Sequence, residues 1–513
     1  MKNTYYLTTA IPYANADPHI GHALEILYSD VMARYQRLLG NDVYFLWGTD
    51  EHGQKMWKTA KEAGRDVAEF AKEESAKFQV LADEFEISNN DFIRTTEDRH
   101  IKGAQYLWQK AIENGDIYKK AYEGLYCVGC ESFKTEKDLV DGRCPIHLRE
   151  PEFLKEENYF FRLSRYQEPL EFLLEDRPDF IYPANRHKEM YNLLKEQLDD
   201  ISISRDASKL SWGVPVPGDP SQVMYVWFDA LANYVTALGL GTTADGLFKK
   251  YWPAVHVVGK DINRFHSLLW PAMLMSAGIE VPKQVVVHGF ITVEGQKMSK
   301  TIGNIIDPLK LLKEFPVEAL RYYLMRELPF DADGNFSNKQ LAERHNADLA
   351  NGIGNLTNRI LTMIEKYCAG IVPKVSEANN DLINFLTRQI WPVYTENMNR
   401  WRFDLALEAA WKFVAHCDQL ISDKQPWVLA KAGKEKEVAN LLYHLAEALR
   451  HIAIMIWPVM PETAEKILMQ LGLDSAVEKA KPLSELQQWV GLTVGNKISR
   501  GEPLFPRLEM SSS

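Results

Sequence analysis

Apolar positions change period twice within the first fifty residues. Tyr5 to Thr9 is a β-rich run, and it ends before Pro12, which cannot feed a sheet ladder. From Gly21 the apolar residues Ala23, Ile26, Leu27, Val31 and Tyr35 recur at helical spacing as far as Gly40. Val43 to Trp47 is then a continuous apolar run of buried-strand type, closing in Gly48-Thr49-Asp50-Glu51-His52-Gly53. Strand, helix and strand in this order predict a parallel sheet with ligands at the carboxyl edges of its strands. Amphipathic helices are predicted over residues 66–86 and 98–113, and Asn114-Gly115-Asp116 breaks the second. A β-rich segment from Ile117 to Tyr126 opens a different unit. From Glu150 to Gln222 the chain reads as polar and loop-rich, punctuated by Pro178, Pro183, Pro215, Pro217 and Pro220. The sheet is expected to resume near Met224, with Val226 to Leu231 as a strand feeding the helix that carries Tyr234. Val255 to Gly259 and Gln284 to Val287 read as two further buried strands. Short helices are predicted in 308–345, and longer ones over 346–367, 381–399, 403–422, 435–456 and 461–472, an α-bundle.

With 513 residues the chain is too long for one core, and three or four domains are expected. Hydrophobic content of 46% and charged content of 25% are those of an ordinary soluble protein. Met1-Lys2-Asn3 leads straight into the first strand, and the apolar run Ile452 to Met460 is short and contains Pro458. A cytoplasmic protein without a membrane partner is the expectation. The net charge of −11 weighs against nucleic acid, and no DNA partner is expected. An RNA partner requires the lysines and arginines to be gathered on one face. Five cysteines are too few for a secreted disulfide scaffold, and Cys368 and Cys417 read as plain buried thiols.

Six groups of residues are candidates for chemistry. His19 and His22, three apart at a predicted helix start with Gly21 between them, can turn both imidazoles toward one anion such as a triphosphate; the plainer alternative is a polar surface. Asp50 stands at a strand's carboxyl edge, as a ligand or as a turn or cap residue. Cys127-Val128-Gly129-Cys130 and Cys144-Pro145-Ile146-His147, with Asp141-Gly142 as a turn before the second pair, have the spacing of a zinc knuckle. Four ligands leave no open position, so one structural Zn²⁺ is expected; a Cys-x-x-Cys redox pair would leave the second pair unexplained. Lys297-Met298-Ser299-Lys300-Thr301, between Gly295 and Gly303, is a lysine loop able to move, or a solvated turn. Ile262, Phe265 and His266 share one helix face, as core or as pocket. In the bundle Asn355 and Arg359 are four apart, and Gln425-Pro426-Trp427 marks a helix junction. Such groups can read and stack single-stranded bases, or be ordinary surface and core residues.

His19-Ile20-Gly21-His22 together with Lys297 to Thr301 resembles the HIGH and KMSKS signatures of class I aminoacyl-tRNA synthetases. The motifs between them narrow the likeness to methionyl-tRNA synthetases with a single zinc knuckle, and it covers essentially the whole chain. Thr301 stands where Ser is commoner, which keeps the hydroxyl. The resemblance implies a Rossmann-like parallel sheet split by a zinc-binding insertion, followed by an all-α anticodon-binding helix bundle. Its divisions fall at 1–115 and 224–300 for the two catalytic halves, 116–223 for the insertion, 301–345 for a stem-contact link with the lysine loop, and 346–513 for the bundle. It implies L-methionine, ATP with Mg²⁺, and tRNA(Met) as partners. By family match His19, His22, Lys297 and Lys300 are catalytic; His19, Gly21, His22, Gly259, Asp261 and Lys300 hold ATP. Asp50 binds the amino group of methionine, while Ile11, Tyr13, Trp227, Ala230, Tyr234, Ile262, Phe265 and His266 line its pocket. Aromatic walls suit a thioether, at about 0.3–1.5 kcal/mol per sulfur–aromatic contact. Asn355, Arg359 and Trp427 match anticodon-reading positions, and no appended C-terminal tRNA-binding domain is expected after Ser513. Two rivals remain. One is a related synthetase for isoleucine, valine or leucine, which needs an editing domain that the insertion leaves no room for. The other is a catalytically silent RNA-binding relative, which has no need of intact signatures.

Overall fold

The computed structural model describes residues 2–127, 132–134, 136–146, 148–298 and 303–508. Six strands build the central sheet: β1 (Thr4–Thr9), β2 (Asp42–Thr49), β3 (Asp91–Arg94), β4 (Ile181–Tyr182), β5 (Ala254–Gly259) and β6 (Gln284–His288). Their order is β3-β2-β1-β5-β6-β4. The pairs β2·β3, β1·β5, β5·β6 and β6·β4 all run parallel. All of β5 and nearly all of β6 are buried, which is why both read as unbroken apolar runs. The chain lays β2 and β3 on one side of β1 and returns with β5 on the other. The order therefore reverses between β1 and β5, and a crevice opens beyond their carboxyl ends, Thr9 and Gly259.

Helix α1 (Ile20–Leu38) follows β1, and α2 (Asp98–Glu113) follows β3 over the span its periodicity predicts. The chain divides into two bodies. Thr4–Ser29 and Val43–His288 form the first; Asp30–Asp42 and the chain from Gly289 onward form the second, with the first three residues.

In the first body, residues 150–222 differ from the loop-rich expectation. Strand Glu152–Phe161 pairs antiparallel with Ile117–Cys127 from Phe161↔Ile117 to Glu152↔Tyr126. Helices Gln167–Asp176 and Ala184–Leu193 follow, burying Leu170, Leu173, Leu174 and Met190. The prolines mark boundaries there: Pro183 precedes a helix and is not evidence of a long loop. β4, from the same stretch, joins the parallel sheet at its edge. Val226–Leu231 is also corrected: it is a helix, α3, and not a strand. A short apolar run fits a buried helix as well as a buried strand. Packing decides it here, with Phe228 edge-on to Trp108 at 5.3 Å.

The second body carries a small sheet of Gln296–Lys297, Ile291–Val293 and Gly334–Phe336. Helices α4 (Asn355–Tyr367), α5 (Phe403–Lys424), α6 (Pro426–Lys431) and α7 (Glu435–Ile456) follow. α7 is buried at every position from Leu441 to Ile456, so it is the core of the bundle, and α4, α5 and α6 pack on it. Its buried charged residues, Glu447 and Arg450, are satisfied internally. Arg450 pairs with Glu447 at 2.7 Å, and the N–H groups of Gly491 and Leu492 donate to the same carboxylate. No helix of the described residues is long and apolar enough to cross a membrane.

Candidate active site

The turn after β1 sets the first half of the site. His19 stands immediately before α1 and His22 lies in its first turn, with their rings stacked at 3.7 Å and 11°. The His19 N–H donates to His22 Nδ1 at 3.2 Å, and the Gly21 N–H donates to His19 Nδ1 at 3.1 Å. Both Nδ1 atoms therefore act as acceptors, which puts the proton of each neutral ring on Nε2. Desolvation, then the neighbouring His19, hold the pKa of His22 well below the usual histidine range. His22 is thus a neutral N–H donor beside the helix N-terminus, where unpaired backbone donors and the dipole favour an anion.

Beyond β1 and β5 lies a cleft. It is lined by Ala10, Ile11, Tyr13, Asp50, Trp227, Ala230, Leu231, Asn233, Tyr234, Ile262 and His266. All of the residues proposed for the pocket meet there except Phe265, which stacks on Trp227 at 3.9 Å and 3°. Residues from four stretches of the chain, 10–13, 50, 227–234 and 262–266, converge because β1, β2 and β5 end together and α3 lines the same cleft. A wide π-helical turn over Phe265–Leu269 carries His266. His266 Nδ1 is 3.0 Å from the Ile262 carbonyl, which can only accept, so Nε2 accepts from the Tyr234 hydroxyl at 2.7 Å. Burial pushes His266 down to about 4, so the ring is neutral near pH 7. Below it, Tyr6 donates its hydroxyl to the Tyr234 carbonyl at 2.7 Å. Asp50 is 3% exposed; its N–H donates to the Pro12 carbonyl and its carbonyl accepts from Ala14. Sequence reasoning missed Asn233, whose amide donates to the Ala230 carbonyl at 2.7 Å while Oδ1 has no partner among the described residues.

The ribose-type positions sit at the same sheet edge. A Cβ on Gly259 would come within 2.8 Å of Asp261 Oδ1, so a side chain there would displace that carboxylate. Two unforeseen residues stand beside them. Glu25 of α1 accepts from His288, at the end of β6, at 3.0 Å, and burial raises the Glu25 pKa. Glu25 is three residues from His22, the one local signal that could have found it.

The remaining candidates are placed as follows. Cys127 ends its strand opposite Ser132, and Cys144 lies in the following loop; both are buried. Cys130 and His147 lie outside the described residues, as do Lys300 and Thr301. Among the described residues there is no cluster of three or more metal-ligating side chains. Lys297 is exposed on its short strand, and its carbonyl accepts from Asn304 at 3.1 Å. In the helical body Asn355 is exposed at the start of α4, and Arg359 one turn on pairs with Asp418 of α5. Trp427 is 39% exposed on α6, after Gln425 in the left-handed region (φ 44°) and Pro426 at the first helical position.

A parallel sheet that reverses its order at an aromatic cleft, beside a histidine pair opening the helix after its first strand, defines an α/β nucleotide-binding enzyme. The family model for tRNA synthetases class I (M) matches residues 5–150 and 134–361, and that for the anticodon-binding domain of tRNA ligase matches 387–495. The chain therefore belongs to the class I tRNA synthetases of the (M) family. Among its relatives, methionine–tRNA ligase of Caldanaerobacter subterraneus subsp. tengcongensis is 47% identical, over 99% of this chain and 80% of that protein. Methionine–tRNA ligase of Brucella suis is 44% identical, over 99% of this chain and 98% of its own length. The structure of Mycobacterium tuberculosis methionyl-tRNA synthetase in complex with methionyl-adenylate superimposes with a TM-score of 0.93 at 41% identity, covering 99% of this chain and 100% of that one.

Proposed function

We propose that the chain is a methionine–tRNA ligase, which activates L-methionine with ATP as methionyl-adenylate and transfers the methionyl group to the 3′ end of tRNA(Met). The observation that carries this reading is the cleft at the strand-order reversal. It sets a carboxylate, Asp50, among aromatic walls suited to a thioether, at the edge where α1 presents its histidines. In the first step the methionine carboxylate attacks the α-phosphorus of ATP and pyrophosphate leaves; in the second, the terminal adenosine hydroxyl of the tRNA takes the methionyl group. No protein nucleophile is required, so the rate comes from in-line positioning and from donors aimed at growing phosphate charge. His19 and His22 supply Nε2–H donors, Gly21 leaves room for the phosphates, and Lys297 and Lys300 neutralise charge moving to pyrophosphate. Gly259 and Asp261 hold the ribose. Asp50 takes the α-ammonium of methionine, and Ile11, Tyr13, Trp227, Ala230, Tyr234, Ile262, Phe265 and His266 enclose its side chain. Asn355, Arg359 and Trp427 read the anticodon.

Mg²⁺ accompanies ATP as part of the substrate. For a structural zinc, the buried thiols of Cys127 and Cys144 are soft donors of the right kind, with Cys130 and His147 completing the set in sequence. Zinc bound there would cross-link the insertion and take no part in the reaction. The reading places the protein in the cytoplasm. Amino-acid-dependent ATP–pyrophosphate exchange tests it, run separately with methionine, isoleucine, valine and leucine. Methionine alone should support exchange. Exchange with a branched substrate would indicate the related synthetases, and none with any substrate a silent RNA-binding protein.

A further inference from the structure

We propose that Asp229 is a positioning residue for the pocket carboxylate Asp50 and acts on it through His52. This rests on the reading of Asp50 as the group that holds the α-ammonium. Asp229 is fully buried on α3, between Trp227 and Ala230, which line the cleft. Its Oδ2 is 2.7 Å from His52 Nδ1 and its Oδ1 is 2.7 Å from His100 Nε2 on α2. His100 Nδ1 in turn meets the Thr236 hydroxyl at 3.0 Å. His52 lies two residues beyond Asp50, and its backbone N–H donates to Asp50 Oδ1 at 3.2 Å. One carboxylate thus joins the aromatic wall on α3, the helix α2, and the loop that presents the ammonium anchor.

The loop has further supports, all buried or partly buried. The Trp212 ring stands edge-on to His52 at 5.5 Å, and its indole N–H donates to the Glu51 carbonyl at 2.5 Å. Glu51 accepts from Arg94 at 2.6 and 2.9 Å. The hydrogen bonds among these fix Glu51 and the Trp212 ring packs on His52, whereas the Asp229 carboxylate is hydrogen-bonded to the side chain of His52, the residue whose N–H meets Asp50. Burial disfavours ionisation of Asp229, but the two imidazoles outweigh it and bring its pKa down to about 2. Asp229 is therefore an acceptor on both oxygens at neutral pH. Asparagine there would offer one acceptor oxygen and an NH₂ group that only donates, so one imidazole N–H would lose its acceptor. An anchor displaced by about 0.5 Å is a poor match for an ammonium group while leaving an apolar cleft largely unchanged.

The test compares two ligands on the full chain by titration calorimetry: L-methionine and 4-(methylthio)butanoate, which lacks only the amino group. Asp229→Asn should weaken L-methionine about tenfold and the des-amino acid by no more than about twofold. In Asp50→Asn the preference for L-methionine should collapse, and Asp229→Asn added to it should cost no more than about a further twofold. Equal weakening of both ligands, or additive losses in the double variant, would overturn the inference and leave Asp229 a packing residue. Should Asp229→Asn fail to fold, His52→Gln breaks the same link and keeps the Asp229–His100 contact; an unchanged preference there overturns it equally. Preference lost in Asp50→Asn but kept in Asp229→Asn defeats this inference alone. Preference kept in Asp50→Asn defeats the reading of Asp50 and the inference with it.

Discussion

Around the cleft at the β1/β5 edge, the polar side chains proposed to face a small ligand, Asp50, Tyr234 and His266, are buried, and the last two are bonded to one another; in the helical body the groups proposed to read RNA stand at the surface. His266 is 1% exposed, neutral, and held in one tautomer by Ile262 and Tyr234, whereas Trp427 is 39% exposed and Asn355 lies open at the start of its helix. The difference follows from the partner. A small ligand can be enclosed, so each polar group in the wall must be satisfied and oriented in advance. A splayed base arrives on a large polyanion, and its recognition needs open aromatic planes and hydrogen-bonding edges. Arg359, paired with Asp418, lies between these extremes: it is oriented by an ion pair that a base would have to exchange.

The sharpest break of this contrast lies in the first body. On the proposed mechanism His22→Ala removes a donor that acts as phosphate charge grows, so adenylate formation should slow by about 10²–10³. Methionine affinity should stay within about twofold, because the cleft itself is untouched. Single-turnover quench-flow beside equilibrium methionine binding would show the split, and equal losses in both would contradict it. Next, Trp427→Ala removes the proposed stacking plane, worth about 1–3 kcal/mol, so tRNA charging should fall about 10- to 100-fold in kcat/KM. Methionine-dependent pyrophosphate exchange should not change, and a loss there would mean that Trp427 serves the fold. Third, Tyr234→Phe deletes the hydroxyl that donates to His266 Nε2 and leaves a buried acceptor unsatisfied, at about 1–2 kcal/mol. Methionine should bind about tenfold more weakly, with the KM for ATP unchanged.

The smallest effect is one of pH. His266 has its folded pKa lowered to about 4, below the ordinary histidine value near 6.5. The unfolded chain then binds the extra proton first, so this contribution to stability is complete above about pH 6.5 and is lost as pH falls toward 4. Between pH 7 and pH 5 the urea midpoint of the wild type should drop further than that of His266→Gln, by on the order of 1 kcal/mol in stability. Identical drops would show that His266 ionises as readily in the folded chain as in water.

Much of the site was legible because its signals are local. The strand–turn–helix of Tyr5 to Gly40 announces itself by a change of period, and Asp50 by its place after an apolar run. The pocket positions were named through family likeness; spacing alone left Ile262, Phe265 and His266 open between core and pocket. Glu25 had one local signal, its place three residues after His22, but nothing local joined it to His288, which it meets across 263 residues, or joined Asp229 to His52 across 177. The strand expected at Val226–Leu231 failed for a related reason: a six-residue run with five apolar residues around Asp229 is too short to show a period, so packing chose the helix.

By itself, the order of residues determined where the chain turns, which faces are apolar, and which polar groups sit at strand ends, because these depend on neighbours a few bonds away. Only the tertiary structure decided which strand ends share an edge, and therefore which polar groups meet. Bringing β5 beside β1 across some 240 residues is what makes a cleft from Ile11, Asp50 and His266. It also sets the charge state there: removing water from His22 and His266 is what holds both imidazoles neutral, and no pattern in the sequence records how much water a residue will lose.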